Sequence, residues 1–188
     1  MAELQSDNTV TESIPTLVIT GPVGVGKTTV ASAVADLLSN AGRPNGMIDM
    51  DALRWVYPSP PDDPFHVALG LRNLAVVAAN YRQAGASYLI LVDILEARAH
   101  LAGYQEAIPG AAIQVVRLHA TPATIAARIT RREMSQDSHD WHQGRAVELA
   151  TLFARERPED ILIDTDGKSP AAIAAEILSQ TGWHTTEG

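Results

Sequence analysis

The chain has 188 residues, of which 46% are hydrophobic and 19% charged, with a formal net charge of -8; this length and composition are typical of one globular domain and exclude a disordered chain. The acidic balance argues against a broad nucleic-acid-binding surface, and the absence of cysteine excludes disulfides, thiolate metal sites and cysteine nucleophiles. No apolar stretch approaches the roughly 20 residues needed to cross a bilayer, so we expect neither a membrane nor a nucleic acid as partner.

The amino-terminal part of the chain predicts a polar tail, a strand and a helix. Residues 1–13 lack the basic start and apolar run of a secretory signal, so we expect a disordered tail on a cytoplasmic protein, with one domain over residues 14–188. Residues 16–20, TLVIT, are a short apolar run that ends at glycine and predict a buried strand. Residues 28–39 have apolar side chains at helical spacing and predict a helix, and a second strand should end near Asp49.

The rest of the chain alternates helices with short apolar strands after a rigid proline-rich loop at residues 58–64. The predicted helices cover residues 65–84, 95–107, 121–133, a stretch that ends near 155, and 169–180, and a polar connection that contains histidine covers residues 134–143. The predicted strands cover residues 87–93, 111–120 and 160–165. Parallel strands require crossovers, so five strands alternating with helices predict a three-layer α/β fold, whose ligands bind at the carboxyl ends of the strands.

The turn after the first strand carries a phosphate-loop motif. Residues 21–28 read GPVGVGKT and match the pattern G-x-x-x-x-G-K-[ST] between a strand and a helix. Glycines free backbone N–H groups to wrap phosphates, the lysine reaches the β- and γ-phosphates, and the threonine hydroxyl binds Mg²⁺. The alternative is a glycine-rich turn with an exposed lysine. The motif predicts that ATP and Mg²⁺ bind at Gly21, Pro22, Val23, Gly24, Val25, Gly26, Lys27, Thr28 and Thr29, with Lys27 catalytic.

Two carboxylates follow the second predicted strand. Asp49 and Asp51 are two residues apart and should face the phosphate loop, where one could serve the metal and the other could accept a proton from an acceptor hydroxyl. We assign Asp51, ahead of Asp49, to the acceptor and Asp49 to the metal. The alternative is an acidic turn in which Asp51 caps the following helix.

Asp93 ends the third predicted strand and has the form of a strand-terminal aspartate on the Mg²⁺ side of such a site. We therefore expect Asp93 to bind metal or substrate. The alternative is an N-cap for the helix predicted over residues 95–107. The two roles are compatible with one another.

Arginines cluster on the helix predicted over residues 121–133. Arg128 and Arg132 are four residues apart and share a helix face, and Arg131 lies between them, so guanidinium groups could reach one phosphate. The alternative is a solvated basic face paired with nearby acidic residues. Farther on, His139, Asp140 and His142 have no third ligand at an obvious spacing, so we interpret the segment as a solvated flap in which Trp141 could cover a ligand.

These residues resemble the small-molecule kinases of the phosphate-loop superfamily, which include adenylylsulfate, shikimate and gluconate kinases and chloramphenicol phosphotransferase. Residues 49–54, DMDALR, are similar to the D-x-D-x-x-R element of the adenylylsulfate kinases, and Arg72 is similar to the arginine on their next helix. Arg128 and Arg132 match the arginines that begin a mobile lid, here about residues 132–145. The sequence DTDGKSP, with Asp166 and Gly167, looks like the loop near adenine.

The resemblance implies a P-loop NTPase fold with a five-stranded parallel sheet in the order 2-3-1-4-5. It also implies an ATP- and Mg²⁺-dependent transfer of the γ-phosphate to a hydroxyl of a small metabolite or antibiotic, with Arg54 and Arg72 binding the acceptor and the lid arginines neutralising the transferring charge. The chain departs from its relatives after the third strand, where DILE (residues 93–96) replaces the serine-proline-arginine segment of adenylylsulfate kinases, and it lacks the glycine triplet of shikimate kinases. The acceptor and the oligomeric state stay open. The alternatives are a P-loop ATPase or nucleotide-binding regulatory protein without an acceptor, and a nucleotide-binding module without turnover.

Overall fold

The computed structural model describes residues 13–132 and 136–183, without the side chains of residues 132 and 136. The predicted tail therefore lies almost wholly outside the described residues. The strands are β1 (Ile14–Thr20), β2 (Asn45–Asp49), β3 (Tyr88–Val92), β4 (Ala111–His119) and β5 (Ile161–Asp164). The helices are α1 (Lys27–Asn40), α2 (Met50–Leu53), α3 (Val67–Gln83), α4 (Leu101–Ala107), α5 (Pro122–Arg132), α6 (Gln136–Glu156) and α7 (Pro170–Thr181). Within the described part of the chain, no helix is both long and apolar enough to cross a membrane.

The five strands form one parallel sheet in the order β2-β3-β1-β4-β5. This confirms the predicted fold class and strand order. β1 is the central strand, with Ile19 opposite Val92 of β3 on one side and opposite Val116 of β4 on the other. All five strands point the same way, so the loops that follow them meet at one edge of the sheet.

The inner strands β1 and β3 are buried on both faces, which is why they are almost continuous apolar runs instead of alternating ones. Successive side chains of β1 point to opposite faces: Leu17 and Ile19 belong to a core packed with α1, α5, α6 and α7, whereas Val18 belongs to a core packed with α3 and α4. The two cores hold the carboxyl edge of the sheet, and the loops that emerge from it, in fixed positions.

Two predicted helices begin later than their sequence pattern indicates. The helix predicted from residue 65 begins at Val67, because the carboxylate of Asp63 accepts hydrogen bonds from the N–H groups of Val67 and Ala68 at 2.7 and 3.1 Å and so caps it.

The helix predicted over residues 95–107 is α4 alone, preceded by a single 3₁₀ turn at residues 98–100. The residues before that turn are not helical: the N–H of Leu95 donates to the hydroxyl of Thr20 at 2.9 Å, and the N–H of Ile94 donates to Asp93 Oδ1 at 2.7 Å. Their donors are therefore used by side chains and not by a helix.

The polar connection predicted over residues 134–143 is wrong where the structure describes it. Residues 136–143 form the first turns of α6, and the interpretation of His139, Asp140 and His142 as a solvated flap is corrected accordingly. The helix is amphipathic, since Ala146, Leu149 and Phe153 are buried farther along it. Residues 133–135, part of the predicted lid, lie outside the described residues.

Candidate active site

The phosphate loop joins β1 to α1 at the carboxyl end of the central strand. Gly21, Gly24 and Gly26 all have positive φ values, of 140, 81 and 103°. A Cβ atom on Gly21 would lie 2.6 Å from the carbonyl oxygen of Leu118, and one on Gly24 would lie 2.7 Å from Cγ1 of Ile129. Backbone conformation and close packing therefore both require glycine in this loop.

The amino terminus of α1 is built to face an anion. Gly26 precedes the helix without a side-chain hydrogen bond to its first turn, and that turn contains no acidic residue. Its N–H groups and the positive end of the helix dipole are therefore available to phosphate oxygens. The ammonium group of Lys27 lies at the same loop, where Nζ donates to the carbonyl oxygens of Gly21 and Pro22 at 3.0 and 3.3 Å.

Thr28 and Asp49 meet across the mouth of the loop, where the hydroxyl of Thr28 donates to Asp49 Oδ2 at 3.2 Å. The other oxygen of Asp49 accepts a hydrogen bond from the N–H of Asp51 at 3.1 Å, so Asp49 caps α2. The interpretation of Asp51 as the cap is therefore wrong. A hydroxyl and a carboxylate oxygen in contact are the hard oxygen ligands that Mg²⁺ prefers, so this donor set fits the metal that the motif implies.

Asp51 lines the same cleft beside Lys27. Among the described residues its carboxylate has no hydrogen bond and no ion pair. Partial burial, reinforced by the charges of Asp49 and Asp93, raises the pKa of the Asp51 carboxyl above its usual value despite the nearby cations. A cleft-lining carboxylate with a raised pKa and a free face is suited to orient a hydroxyl and to accept its proton.

The carboxylate of Asp93 is bound by other side chains of the protein. Its side chain is fully buried, and its oxygens pair with both terminal nitrogens of Arg54 and accept a hydrogen bond from the hydroxyl of Tyr104. This arrangement disfavours Asp93 as a metal ligand, because its oxygens are already engaged. Asp93 does not cap a helix either, since residues 94–97 are not helical and α4 begins only at Leu101. Arg54 lines the cleft, but its guanidinium is held by Asp93. Burial of the Tyr104 side chain raises the pKa of its phenol, and the negative charge of Asp93 raises it further. The phenol therefore stays protonated.

The other predicted arginines are dispersed. Arg72 is exposed on α3 and lies outside the cleft, so the structure does not bring it to the acceptor. Arg128 lines the cleft and ties the loop to the segment after β5, because its guanidinium donates to the carbonyl of Val25 at 2.8 Å and to the hydroxyl of Thr165 at 3.0 Å. Arg131 is exposed, and the side chain of Arg132 lies outside the described residues.

The predicted adenine loop follows β5. Asp166 there accepts a hydrogen bond from the N–H of Thr121 at 2.9 Å, and this contact lowers the pKa of its carboxyl. Gly167 has a φ of 69° and is exposed. Lys168, the next residue, lines the cleft and pairs with Glu176 at 2.7 Å. Asp166 therefore anchors the loop to the start of α5, while Lys168 faces the cleft.

Sequence reasoning missed one part of the site. Arg145 of α6 forms an ion pair with Glu96, which follows β3, and its guanidinium lies 5.8 Å from the ring centroid of Phe65. All three side chains line the cleft, as does Trp141, whose role as a cover the sequence did suggest. Glu96 and Arg145 are 49 residues apart, and no local pattern marks either of them as a partner of the other.

The whole cleft has a volume of about 1040 Å³. Its nucleotide half is formed by the phosphate loop, Arg128 and the segment around Lys168; the remaining side, from Asp51 to Glu96 and Arg145, is called the acceptor half below. Since pockets for drug-sized ligands usually measure about 300–1,000 Å³, the cleft has room for two molecules.

Several solved structures share this fold. A tunicamycin resistance protein from Deinococcus radiodurans is 22% identical, with 90% of this chain and 96% of that one covered at a TM-score of 0.64. A sugar kinase from a Janibacter species is 24% identical, with coverage of 90% and 95% and a TM-score of 0.62. An APS kinase from Mycobacterium tuberculosis, solved with AMPPNP and APS, is 19% identical, with coverage of 91% and 99% and a TM-score of 0.61.

These neighbours confirm the predicted resemblance at the level of the fold, because a sugar kinase and an APS kinase are among them. At 25% identity or less, such likeness carries the fold and not the substrate. No protein-family model and no curated protein sequence matches this chain significantly.

Proposed function

We propose that this chain, which has the P-loop NTPase fold, is an ATP- and Mg²⁺-dependent phosphotransferase that moves the γ-phosphate of ATP to a hydroxyl of a small molecule. One observation carries the proposal: a phosphate loop, a Thr28–Asp49 pair and the carboxylate of Asp51, which has no partner among the described residues, line or border one cleft. A fold shared with P-loop kinases supports it further.

In this proposal the nucleotide half of the cleft binds ATP. The N–H groups at the start of α1 and the ammonium of Lys27 hold the β- and γ-phosphates, and Arg128 keeps the loop in register with the segment after β5. Thr28 and Asp49 would hold Mg²⁺, which when bound neutralises charge on the phosphates. The glycines allow the loop backbone to approach the nucleotide closely.

In this proposal the acceptor half supplies the base, the carboxylate of Asp51. A hydroxyl oxygen of the acceptor attacks the γ-phosphorus, the bond from that phosphorus to the bridging oxygen of ADP breaks, and the hydroxyl proton moves to the carboxylate of Asp51. The raised pKa of Asp51 makes this carboxylate a better base than an exposed aspartate. Acceptors that are poorly oriented react slowly, because catalysis of phosphoryl transfer is mostly positioning and electrostatics.

The experiment has two stages. MgATP should raise the melting temperature of the wild type, since binding to the native state alone adds about 2.7 kcal/mol at 100 times Kd. Lys27→Ala should lose most of this shift, whereas Arg155→Ala, which removes an exposed positive charge outside the cleft, should retain it. A panel of hydroxylated metabolites and antibiotics is then tested for stimulated ADP release.

The outcomes separate the alternatives. Acceptor-stimulated ADP release supports the kinase. ADP release that no acceptor stimulates would indicate a regulatory ATPase, and MgATP binding without any turnover would indicate a binding module. If melting of the wild type is indifferent to MgATP, the assignment of the phosphate loop is wrong.

A further inference from the structure

The cations that line the acceptor half are neutralised by the protein itself. Among the residues that the structure describes, two guanidiniums line it, those of Arg54 and Arg145. Both terminal nitrogens of Arg54 pair with Asp93, at 2.8 and 2.6 Å. Arg145 uses one terminal nitrogen for Glu96 and the other for Glu148, the latter at 3.2 Å. An anionic acceptor would have to compete with these carboxylates for each guanidinium.

Carboxylates outnumber these guanidiniums. Asp51 and Glu96 line the acceptor half, and Asp93 lies buried directly behind Arg54. These three carboxylates face two guanidiniums, so negative charge exceeds positive charge among the carboxylates and guanidiniums described on this side of the cleft. In a partly desolvated cleft, like charges a few ångströms apart repel strongly, so a carboxylate or sulfate on the acceptor would be disfavoured.

Apart from His100, His142 and Tyr104, the remaining walls of the acceptor half are apolar. Phe65 and Trp141 are 60% and 58% exposed, although large aromatic side chains gain by burial, and both face the cleft. Val67, Leu71 and Ile94 complete this surface. A ligand with a flat or aliphatic face would bury these side chains without breaking an ion pair.

We propose that the acceptor is an uncharged molecule that presents a hydroxyl to Asp51 and an apolar or planar face to Phe65 and Trp141. This inference rests on the proposed function and deepens it. The Glu96–Arg145 pair maintains the selectivity, because Glu96 neutralises the guanidinium of α6 that could otherwise bind an anionic group. Anionic acceptors are then rejected by charge and not by size.

The test uses two probe pairs, each a carboxylate and its methyl ester, in which the ester lacks the charge and is larger by one methyl group: p-nitrophenyl β-glucuronide with its methyl ester, and shikimate with methyl shikimate. Binding to the MgADP-loaded protein is measured by calorimetry, and ADP release is measured with MgATP. We expect each ester to bind at least about tenfold more tightly than its anion. The p-nitrophenyl ester should bind better than methyl shikimate, because it has a larger planar face.

Two amide variants test the role of the ion pair. Glu96→Gln retains a hydrogen-bond acceptor for Arg145 but removes the charge, so the anions should bind at least about tenfold more tightly than to the wild type while the esters change little. The matched control is Glu148→Gln, since Glu148 is the other partner of Arg145 but lies outside the cleft. It should leave the preference for esters intact.

Three results would overturn the inference: wild-type protein that binds the anions as tightly as the esters, failure of both esters to bind at millimolar concentration, or an unchanged preference in Glu96→Gln. The melting temperature of the same samples is also measured with and without MgATP, so that the proposed function is tested independently of acceptor binding. Loss of that shift contradicts the phosphotransferase, whereas a normal shift with equal binding of both charge types contradicts only the substrate class.

Discussion

Arg54 and Asp93 form a bidentate ion pair beneath the acceptor half of the cleft, in which the Nη1–Oδ1 and Nη2–Oδ2 distances are 2.8 and 2.6 Å. The pair joins the end of α2 to the end of β3, and Tyr104 of α4 adds a hydrogen bond to Asp93. Helix α3 packs against it at Gly70, where a Cβ atom would lie 2.8 Å from the Arg54 side chain. Four elements, α2, β3, α3 and α4, therefore meet at this one ion pair.

Asp93→Asn should destabilise the fold by about 3–5 kcal/mol, because it leaves the half-buried guanidinium of Arg54 without a counter-charge. Urea unfolding measures this loss. The control is Glu156→Gln in the exposed pair with Arg155, which should cost about 1 kcal/mol or less. A stable Asp93→Asn protein with weakened Mg²⁺ dependence would instead restore Asp93 as a metal ligand.

Asp49→Asn should raise the Mg²⁺ concentration needed for half-maximal turnover, and added Mg²⁺ should recover part of the rate, because an amide is a weaker ligand than a carboxylate. The change keeps an oxygen that can cap α2, so folding should be preserved. Asp63→Asn is the matched control, since Asp63 caps α3 outside the cleft. An unchanged Mg²⁺ requirement in Asp49→Asn would limit Asp49 to a capping role.

Asp51→Asn should slow turnover with saturating acceptor while MgATP affinity stays nearly intact. General-base assistance is typically worth about 10²- to 10⁴-fold in rate, and an asparagine can orient a hydroxyl without accepting its proton. Steady-state kinetics give the rate, and the melting shift with MgATP gives the affinity. Wild-type turnover would exclude Asp51 as the base, and lost MgATP binding would place it at the metal.

Asp51→Asn should also stabilise the protein near neutral pH. The folded state raises the pKa of this carboxyl by burial and by the charges of Asp49 and Asp93, so the ionised form destabilises the fold at pH values above the folded-state pKa. The advantage of the variant should decline as pH falls through the folded-state pKa towards the ordinary value of 3.8.

Thermal melting of wild type and variant across pH measures this dependence. Asp166→Asn is a control for which we expect the opposite change in stability. The hydrogen bond from the N–H of Thr121 lowers the pKa of Asp166, so removing this carboxylate should destabilise the fold at neutral pH. A stability difference between wild type and Asp51→Asn that does not vary with pH would contradict the electrostatic account.

Arg128→Ala should weaken ATP binding as well as lower kcat. The sequence predicts an arginine that acts on the transferring phosphate, which would leave ATP affinity unchanged. In the structure Arg128 instead holds Val25 of the loop to Thr165, and its loss leaves these groups without their donor. Kinetics at varied ATP measure the effect, with the exposed neighbour in Arg131→Ala as the control. A fall in kcat alone would favour the sequence-based role.

The sequence by itself determined the fold and the position of the phosphate-loop motif at the carboxyl end of β1. The motif is recognisable because its glycines, Lys27 and Thr28 are contiguous in the chain, and β1 and β3 are recognisable because burial on both faces makes them apolar runs. Asp49 and Asp51 were located correctly at the edge of the sheet, since the carboxyl ends of parallel strands converge there.

Only the tertiary structure decided which charges remain available to ligands. Arg54 lies 39 residues from Asp93 and Arg145 lies 49 residues from Glu96, and periodicity carries no information about pairing over such distances. Arg72 is an arginine on the helix for which the resemblance predicts an acceptor-binding arginine, but the orientation of α3 leaves its side chain exposed to solvent. Residue type and spacing therefore predicted the phosphate chemistry, whereas the character of the acceptor half depends on ion pairs that form only when distant segments pack together.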